Sequence, residues 1–152
     1  MKTTLFSVLI FFFCMNLPGQ ADLEKEKEAI KKVINTAYLE GIQNEGNLEK
    51  IDSGIHPGFN LLGTGKGKEM WVRPIKEWKE QVVKKKSEGF YPRKGKDMVS
   101  IRFVSIDITG SAAIVKLEFF IGETLTYVDY ISMYKFEDDW MMVAKIFNKM
   151  QD

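Results

Sequence analysis

The apolar positions between residues 23 and 43 recur at intervals of three and four residues. They are Ile30, Val33, Ile34, Ala37, Tyr38 and Ile42, with mostly charged or polar side chains between them. This spacing places the apolar side chains on one face of a helix, so residues 23–43 are predicted to form an amphipathic helix. Asn47 is suited to cap a second, short helix that runs through Ile51, with Gly54 as its stop.

A third helix is indicated after Pro74, a residue that a helix accepts at its first position. Its buried side is predicted to consist of Ile75, Trp78 and Val82, with Val83 as a further candidate. Before it, residues 59–62 form a short apolar run, and residues 63–68 have the composition of a hairpin connection. This loop lacks the Gly-Lys-Ser/Thr ending of a phosphate-binding loop.

From residue 99 onward the chain is rich in β-branched and aromatic residues, with turn signals at residues 109–111, 122–123 and 137–139. The pattern predicts a meander of four strands. Alternation along the third strand places five side chains on one face, namely Leu125, Tyr127, Asp129, Ile131 and Met133. The opposite face is also partly apolar, so we expect one face to pack on the helices and the other to be covered by a partner or by curvature of the sheet.

Helices followed by antiparallel strands define a segregated α+β fold. A layer of three helical segments cannot fill a long curved sheet completely, so we expect a cavity at the open end of the sheet. That cavity is the candidate functional site.

Residues 1–21 have the pattern of a secretory signal peptide, with Lys2 at the start, a mostly apolar run over residues 5–17 and small residues before Asp22. Cleavage after Ala21 would leave residues 22–152 as a single domain, exported to the periplasm or secreted. A retained membrane anchor is the weaker alternative, because the apolar run is short and a strongly charged stretch follows it. We therefore expect no stable membrane insertion.

The chain carries 22 basic and 21 acidic residues, a balance that gives no long-range field for nucleic acid. The run Lys84-Lys85-Lys86 lies at the end of the predicted third helix and is interpreted as a solvated complement to the helix dipole. The sequence has one cysteine, Cys14, and one histidine, His56, which argues against a disulfide framework or a metal site. No cofactor is expected.

Four segments in their order carry a family resemblance: residues 55–59, 106–113, 127–131 and 140–147. Together with the helix order they resemble the nuclear transport factor 2-like superfamily, in particular its SnoaL-like, "putative lumazine-binding" bacterial branch. The resemblance implies a cone-shaped α+β fold, three N-terminal helical segments on a curved, mostly antiparallel sheet, an internal pocket and frequent dimers through the outer sheet face. Relatives include ketosteroid isomerase, scytalone dehydratase, limonene epoxide hydrolase and non-catalytic binders, so the resemblance selects no single activity.

Two chemical features stand out at single positions. Asp129 lies in the middle of a strand, where a charge facing the interior needs a partner, and Lys145 on the next strand is the evident one. A three-residue turn at 137–139 would put both on one side of the sheet, and a two-residue turn would separate them. A structural ion pair and a pocket role are both open. His56, held extended by Pro57, is expected near the cavity mouth. It is either a ligand or proton-transfer group or a structural histidine hydrogen-bonded to a backbone carbonyl.

The candidate ligand-binding residues are His56, Phe59, Trp71, Tyr127, Asp129, Met133, Lys145 and Phe147, with plain core packing as the alternative for the aromatic and methionine members. The first hypothesis is an exported, homodimeric domain that binds a small apolar or heteroaromatic molecule without catalysis. The second is an isomerase- or dehydratase-type enzyme with Asp129 or His56 as general base and Tyr127 donating to an oxyanion. The third is an interaction module that uses Val128, Tyr130 and Tyr134 on the outer sheet face.

Overall fold

The computed structural model describes residues 18–151, and its first element is a long helix built on the predicted apolar stripe. This helix, α1, spans Pro18–Val33 and continues without a break as a π-helical segment, Ile34–Glu45. The segment ends at Gly46, whose φ of 60° is a left-handed conformation that suits glycine. The predicted helix over residues 23–43 is confirmed. The predicted signal segment, residues 1–21, lies mostly outside the described residues.

The second and third helices follow their local signals. Helix α2 spans Leu48–Asp52, and the Asn47 side chain accepts a hydrogen bond from the backbone N–H of Lys50 at 3.2 Å, as a cap should. Helix α3 spans Ile75–Ser87 and begins directly after Pro74. The prediction that Val83 is buried is wrong, because this side chain is 51% exposed. One residue turns the helix by about 100°, so Val83 points away from the face that buries Val82.

The sheet has six strands, and the predicted meander supplies four of them. The strands are β1 Ile55–Thr64, β2 Met70–Pro74, β3 Val99–Thr109, β4 Ala112–Ile121, β5 Thr124–Phe136 and β6 Asp139–Lys149. Their order is β2-β1-β6-β5-β4-β3, with β1 and β6 parallel and all other neighbours antiparallel. The helices lie against one face of this curved, unclosed sheet, which we call the inner face. The α+β fold class predicted from the sequence is confirmed.

Two strands differ from the sequence prediction. Strand β2 was not predicted, because residues 70–74 are too short to show alternation before the helix signal at Pro74. The loop over residues 63–68 does connect a hairpin, since β1 and β2 pair antiparallel on either side of it. On β5 a bulge between Tyr127 and Leu125 sets Leu125 opposite Phe120. Leu125 therefore lies on the outer face, not on the inner face with Tyr127.

The hydrophobic core lies between the helices and the inner face. Ile30, Ile34 and Ile42 of the long helix are at most 2% exposed, as are Ile131 and Met142 of the sheet. Within residues 18–151, no helix is long and apolar enough to cross a membrane.

The end of the π-helical segment is tied to the sheet by one buried amide. Asn44 Nδ2 donates to the carbonyl oxygen of Val99, and the Val99 N–H donates back to Asn44 Oδ1, both at 2.9 Å. Asn44 is 8% exposed, so water cannot replace these bonds if the side chain is lost.

We expect Asn44→Ala to lower the free energy of unfolding by about 2 kcal/mol, because it leaves the polar groups of Val99 unpaired in the interior. Urea denaturation measures this loss. The matched control is Asn148→Ala, since Asn148 is exposed and bonds only to its chain neighbours; it should change stability by less than about 0.5 kcal/mol. Equal effects of the two variants would contradict the bridging role of Asn44.

Candidate functional site

A cavity of about 280 Å³ lies between the inner face of the sheet and the helices. The π-helical segment, α3 and strands β1, β2, β4, β5 and β6 all contribute to its wall. The lining residues are Tyr38, Gln43, Leu61, Trp71, Arg73, Trp78, Phe119, Tyr127, Lys145 and Phe147.

Aromatic rings form most of this wall. The ring centre of Tyr127 lies 5.6 Å from those of both Phe119 and Phe147, with interplanar angles of 72° and 87°. The ring centre of Trp71 lies 6.0 Å from that of Phe147, in a tilted arrangement. The two T-shaped contacts of Tyr127 stabilise the packing of the wall beyond the burial of area.

The position of the Trp71 ring depends on a glycine across the β1–β2 hairpin. Gly63 is the register partner of Trp71. A Cβ atom at Gly63 would lie 2.0 Å from Trp71 Cζ2, far inside van der Waals contact. The indole therefore lies directly over the glycine backbone, and this contact sets its place in the cavity wall.

A buried ion pair lies at the base of the cavity. Lys145 Nζ is 2.6 Å from Asp129 Oδ1, and the side chains are 6% and 0% exposed. The other carboxylate oxygen, Oδ2, accepts a hydrogen bond from the Tyr38 hydroxyl at 2.7 Å. The Lys145 ammonium also lies 5.0 Å from the ring centre of Phe147 and 5.3 Å from that of Tyr38. Asp129 thus joins the centre of the sheet to the long helix.

A β-bulge brings Asp129 and Lys145 together. Phe136 pairs with Asp139, so the turn after β5 has two residues. With this register alone, the side chains of Asp129 and Lys145 would lie on opposite faces of the sheet. Between Ser132 and Met133 the register shifts, since Ser132 pairs with Ala144 and Met133 with Met142. Because Val143 is an extra residue on β6, the side chains of Asp129 and Lys145 lie on the same face of the sheet.

Burial shifts two pKa values at this site. Removal from water raises the pKa of the Tyr38 hydroxyl well above 10, and the neighbouring Asp129 charge adds to the effect. Desolvation lowers the pKa of the Lys145 ammonium, while Asp129 opposes that shift. The carboxylate thus keeps a buried ammonium beside the cavity and holds Tyr38 as a neutral donor.

A second cation, Arg73, reaches the cavity from β2. Its guanidinium carbon lies 5.5 Å from the ring centre of Trp71. Arg73 pairs with Leu61 in the β1–β2 register, and Leu61 pairs with Lys145 in the β1–β6 register. The two cationic residues therefore lie in one row across three neighbouring strands.

The structure brings together part of the set predicted from the sequence. Trp71, Tyr127, Lys145 and Phe147 line the cavity, and Asp129 lies behind Lys145. Phe59 and Met133 are fully buried core residues outside the lining.

His56 is not brought to the cavity. Its ring stacks on Phe136 at 4.7 Å, and Phe136 is an exposed residue of the outer face. Its Nδ1 accepts a hydrogen bond from the Gly58 N–H at 3.0 Å, so the ring is held by the backbone, but the predicted carbonyl partner is wrong. Pro57 restricts His56 to an extended conformation, but this restriction does not determine on which face of the sheet the His56 ring lies.

Sequence reasoning missed five cavity residues: Tyr38, Gln43, Leu61, Arg73 and Trp78. Tyr38 was assigned to the apolar stripe of the first helix. Its hydroxyl could have identified it as a site residue, because a buried tyrosine usually finds a hydrogen-bond partner. Arg73 carried no comparable signal, since it lies in the strand that the pattern did not predict. Trp78 was expected only in the buried face of α3.

We expect Lys145→Met to lower the free energy of unfolding by about 3 to 5 kcal/mol, because it leaves the Asp129 charge buried without its cation. The double variant Asp129→Leu/Lys145→Met should recover most of that loss, since no charge is then stranded. Lys79→Met is the control, as it breaks an exposed pair with Asp52 and should cost less than about 1 kcal/mol. Equal losses for Lys145→Met and Lys79→Met in urea denaturation would contradict the assigned importance of the buried pair.

Comparison with known proteins identifies the family. Residues 25–148 match the family described as "Putative lumazine-binding", and the chain belongs to this family. No curated protein matches the sequence significantly.

Solved structures share the fold at low sequence identity. An NTF2-like protein of unknown function from Shewanella baltica has a TM-score of 0.67 at 19% identity, covering 85% of this chain and 97% of its own. An NTF2-like protein of unknown function from Silicibacter pomeroyi has a TM-score of 0.66 at 13% identity, with coverage of 84% and 98%. A protein from Streptomyces avermitilis described as a putative dehydratase of the NTF2-like family has a TM-score of 0.57 at 13% identity, with coverage of 86% and 99%. These likenesses show that the protein has the nuclear transport factor 2-like fold.

Proposed function

We propose that the protein is an exported domain that binds a small aromatic or heteroaromatic molecule in the cavity between sheet and helices. The observation that carries this proposal is the wall of Trp71, Phe119, Tyr127 and Phe147 around an open volume, with one buried ammonium at its base. Ligand sites are typically such apolar, concave surfaces with a few fixed polar groups. Membership in a family described as lumazine-binding supports the same reading.

The volume of the cavity limits the size of the ligand. A water molecule in the liquid takes up about 30 Å³, so 280 Å³ corresponds to about nine waters. The covalently bonded atoms of an organic molecule pack more closely than water molecules do. The cavity therefore suits a molecule of one or two rings, and a larger ligand would extend from its mouth into solvent.

Export is part of the proposal because of residues 1–21, which have a basic start, an apolar run and small residues at the expected cleavage point. Delivery to the periplasm or secretion places the binding domain where it meets molecules from outside the cell. Detection of the processed chain beginning at Asp22 in a periplasmic or culture-medium fraction would support this. Recovery of only the unprocessed chain would contradict it.

We expect lumazine, or a fused two-ring heteroaromatic from a small panel, to raise the melting temperature of the wild type and to bind in calorimetry. Trp71→Ala should weaken that binding at least about tenfold, because it removes one of the two indole rings of the wall. Gly63→Ala should also weaken it, since the new methyl group displaces the Trp71 indole. The control Phe136→Ala truncates an exposed ring of the outer face and should leave affinity unchanged.

The binding proposal would be overturned by either of two results. One is that no aromatic ligand in the panel binds the folded wild type. The other is that Trp71→Ala binds as tightly as Phe136→Ala, which would put the ligand somewhere other than this cavity.

Acid–base catalysis is the second candidate function, and the observation that favours it is the contact chain Tyr38–Asp129–Lys145 beside the cavity. Such coupled, buried groups also occur in active sites. Proton exchange at the α-carbon of 1-indanone in D₂O, followed by NMR, tests it. Exchange above the buffer rate that is lost in Asp129→Asn would favour catalysis, and exchange at the buffer rate would favour binding alone.

We also propose that the protein is a homodimer through the outer sheet face. Tyr130 and Ile146 are direct register partners on β5 and β6, and they are 39% and 53% exposed. Ile114 and Tyr134 are exposed on the same face. Apolar side chains grouped in this way on a sheet face are typical of surfaces that contact protein.

We expect Ile146→Lys to convert the protein from dimer to monomer in light scattering, because it places a charge among apolar side chains that a second copy would cover. The control is Met70→Lys, which adds the same charge at an exposed position on β2, at the sheet edge. A monomeric wild type would contradict the dimer and would leave this face available to a different protein, the third hypothesis from the sequence.

A further inference from the structure

Positive charges outnumber negative charges around the cavity. Its ten lining residues, all within the described part of the chain, include two cations, Arg73 and Lys145, and no aspartate or glutamate. The Asp129 carboxylate, which contacts this lining, is ion-paired with Lys145 through Oδ1 and accepts a hydrogen bond from Tyr38 through Oδ2. Two cations against one carboxylate leave a net positive charge at the site, and Arg73 carries it.

Arg73 differs from Lys145 in the number of N–H donors that remain available for a ligand. Across residues 18–151, no carboxylate forms an ion pair with Arg73, and its guanidinium carbon lies 5.5 Å from the ring centre of Trp71. Arginine has five N–H donors in a planar fork that matches the two oxygens of a carboxylate. A cation–π contact with the ring uses none of those donors.

The two cations also stand at a defined separation. Arg73, Leu61 and Lys145 lie side by side on three adjacent strands, so the backbones of the two cationic residues are about 10 Å apart across the sheet. The apolar side chain of Leu61 lies between them. Trp71 and Phe147 lie in the cavity wall beside this row.

Resting on the proposed binding function, we propose that the natural ligand is a small planar aromatic anion. Its ring lies among Trp71, Tyr127 and Phe147, and its negative group is held by the Arg73 guanidinium. Lys145 is already neutralised by Asp129 and offers its remaining N–H donors to neutral acceptor atoms on the ring. Neutral and cationic aromatic molecules of the same shape bind less well, because they leave the Arg73 charge without a partner.

Binding of 2-naphthoate and 2-naphthamide at pH 7 and low salt tests this proposal by calorimetry. The two probes share one ring system and differ mainly in charge. We expect the wild type to prefer the carboxylate by about tenfold or more, as charge-assisted hydrogen bonds are stronger than neutral ones. Added NaCl should reduce the preference, since screening acts on the charge and not on the ring.

Arg73→Gln should abolish the preference for the carboxylate, because it removes the charged fork that holds the negative group. Arg73→Lys retains the charge without the fork and should show an intermediate preference. Arg102→Gln is the matched control, because Arg102 pairs with Glu118, which lies on the outer face, and should leave both affinities unchanged.

The outcomes distinguish a failure of the anion proposal from a failure of the proposed binding function. Equal affinity of the wild type for the two probes, or a preference for the amide, overturns the anion proposal and leaves the aromatic cavity standing. A carboxylate preference that survives in Arg73→Gln overturns the assignment to Arg73. Failure of both probes and of the whole aromatic panel removes the binding function, and the anion proposal with it.

Discussion

The ion pair between Asp129 and Lys145, completed by the Tyr38 hydroxyl, is the interaction on which the arrangement around the cavity depends. A carboxylate with no exposed surface is tolerated only where cations and donors surround it. Any shift of β6 by one residue against β5 would turn Lys145 to the other face and strand that charge. The pair therefore enforces the strand register, and through Tyr38 it also fixes the long helix over the sheet.

The cavity is a consequence of this anchoring combined with large aromatic side chains. Tyr127, Phe147 and Phe119 meet edge to face, so their rings hold one another upright and do not collapse into the open volume. Trp71 can lie flat over Gly63 only because that strand position has no side chain. The edge-to-face packing around Tyr127 and the absence of a side chain at Gly63 thus both keep the cavity open.

Much of the architecture was predictable because its signals are local. The apolar spacing of the first helix, the Asn47 cap, the proline before α3 and the turn signals between β3 and β6 each lie within a few residues of the element they define. The site was less predictable. The bulge at Val143, which decides where Lys145 points, arises from the fit of β6 between its neighbours, and the residue itself is an ordinary strand former. Likewise, the face occupied by His56 depends on the irregular pairing of β1 with β6, which leaves no trace in the order of the residues.

The position of β6 has a consequence for how the molecule assembles. This strand, the last in chain order, lies in the middle of the sheet, parallel to β1 and antiparallel to β5. Within the sheet, β6 alone joins the hairpin that carries Trp71 and Arg73 to the meander that carries Tyr127 and Asp129. The docking pairs residues about 85 positions apart in the chain, a high contact order that slows folding. In a chain of this topology the cavity wall is complete only after β6 has been synthesised and has docked between β1 and β5.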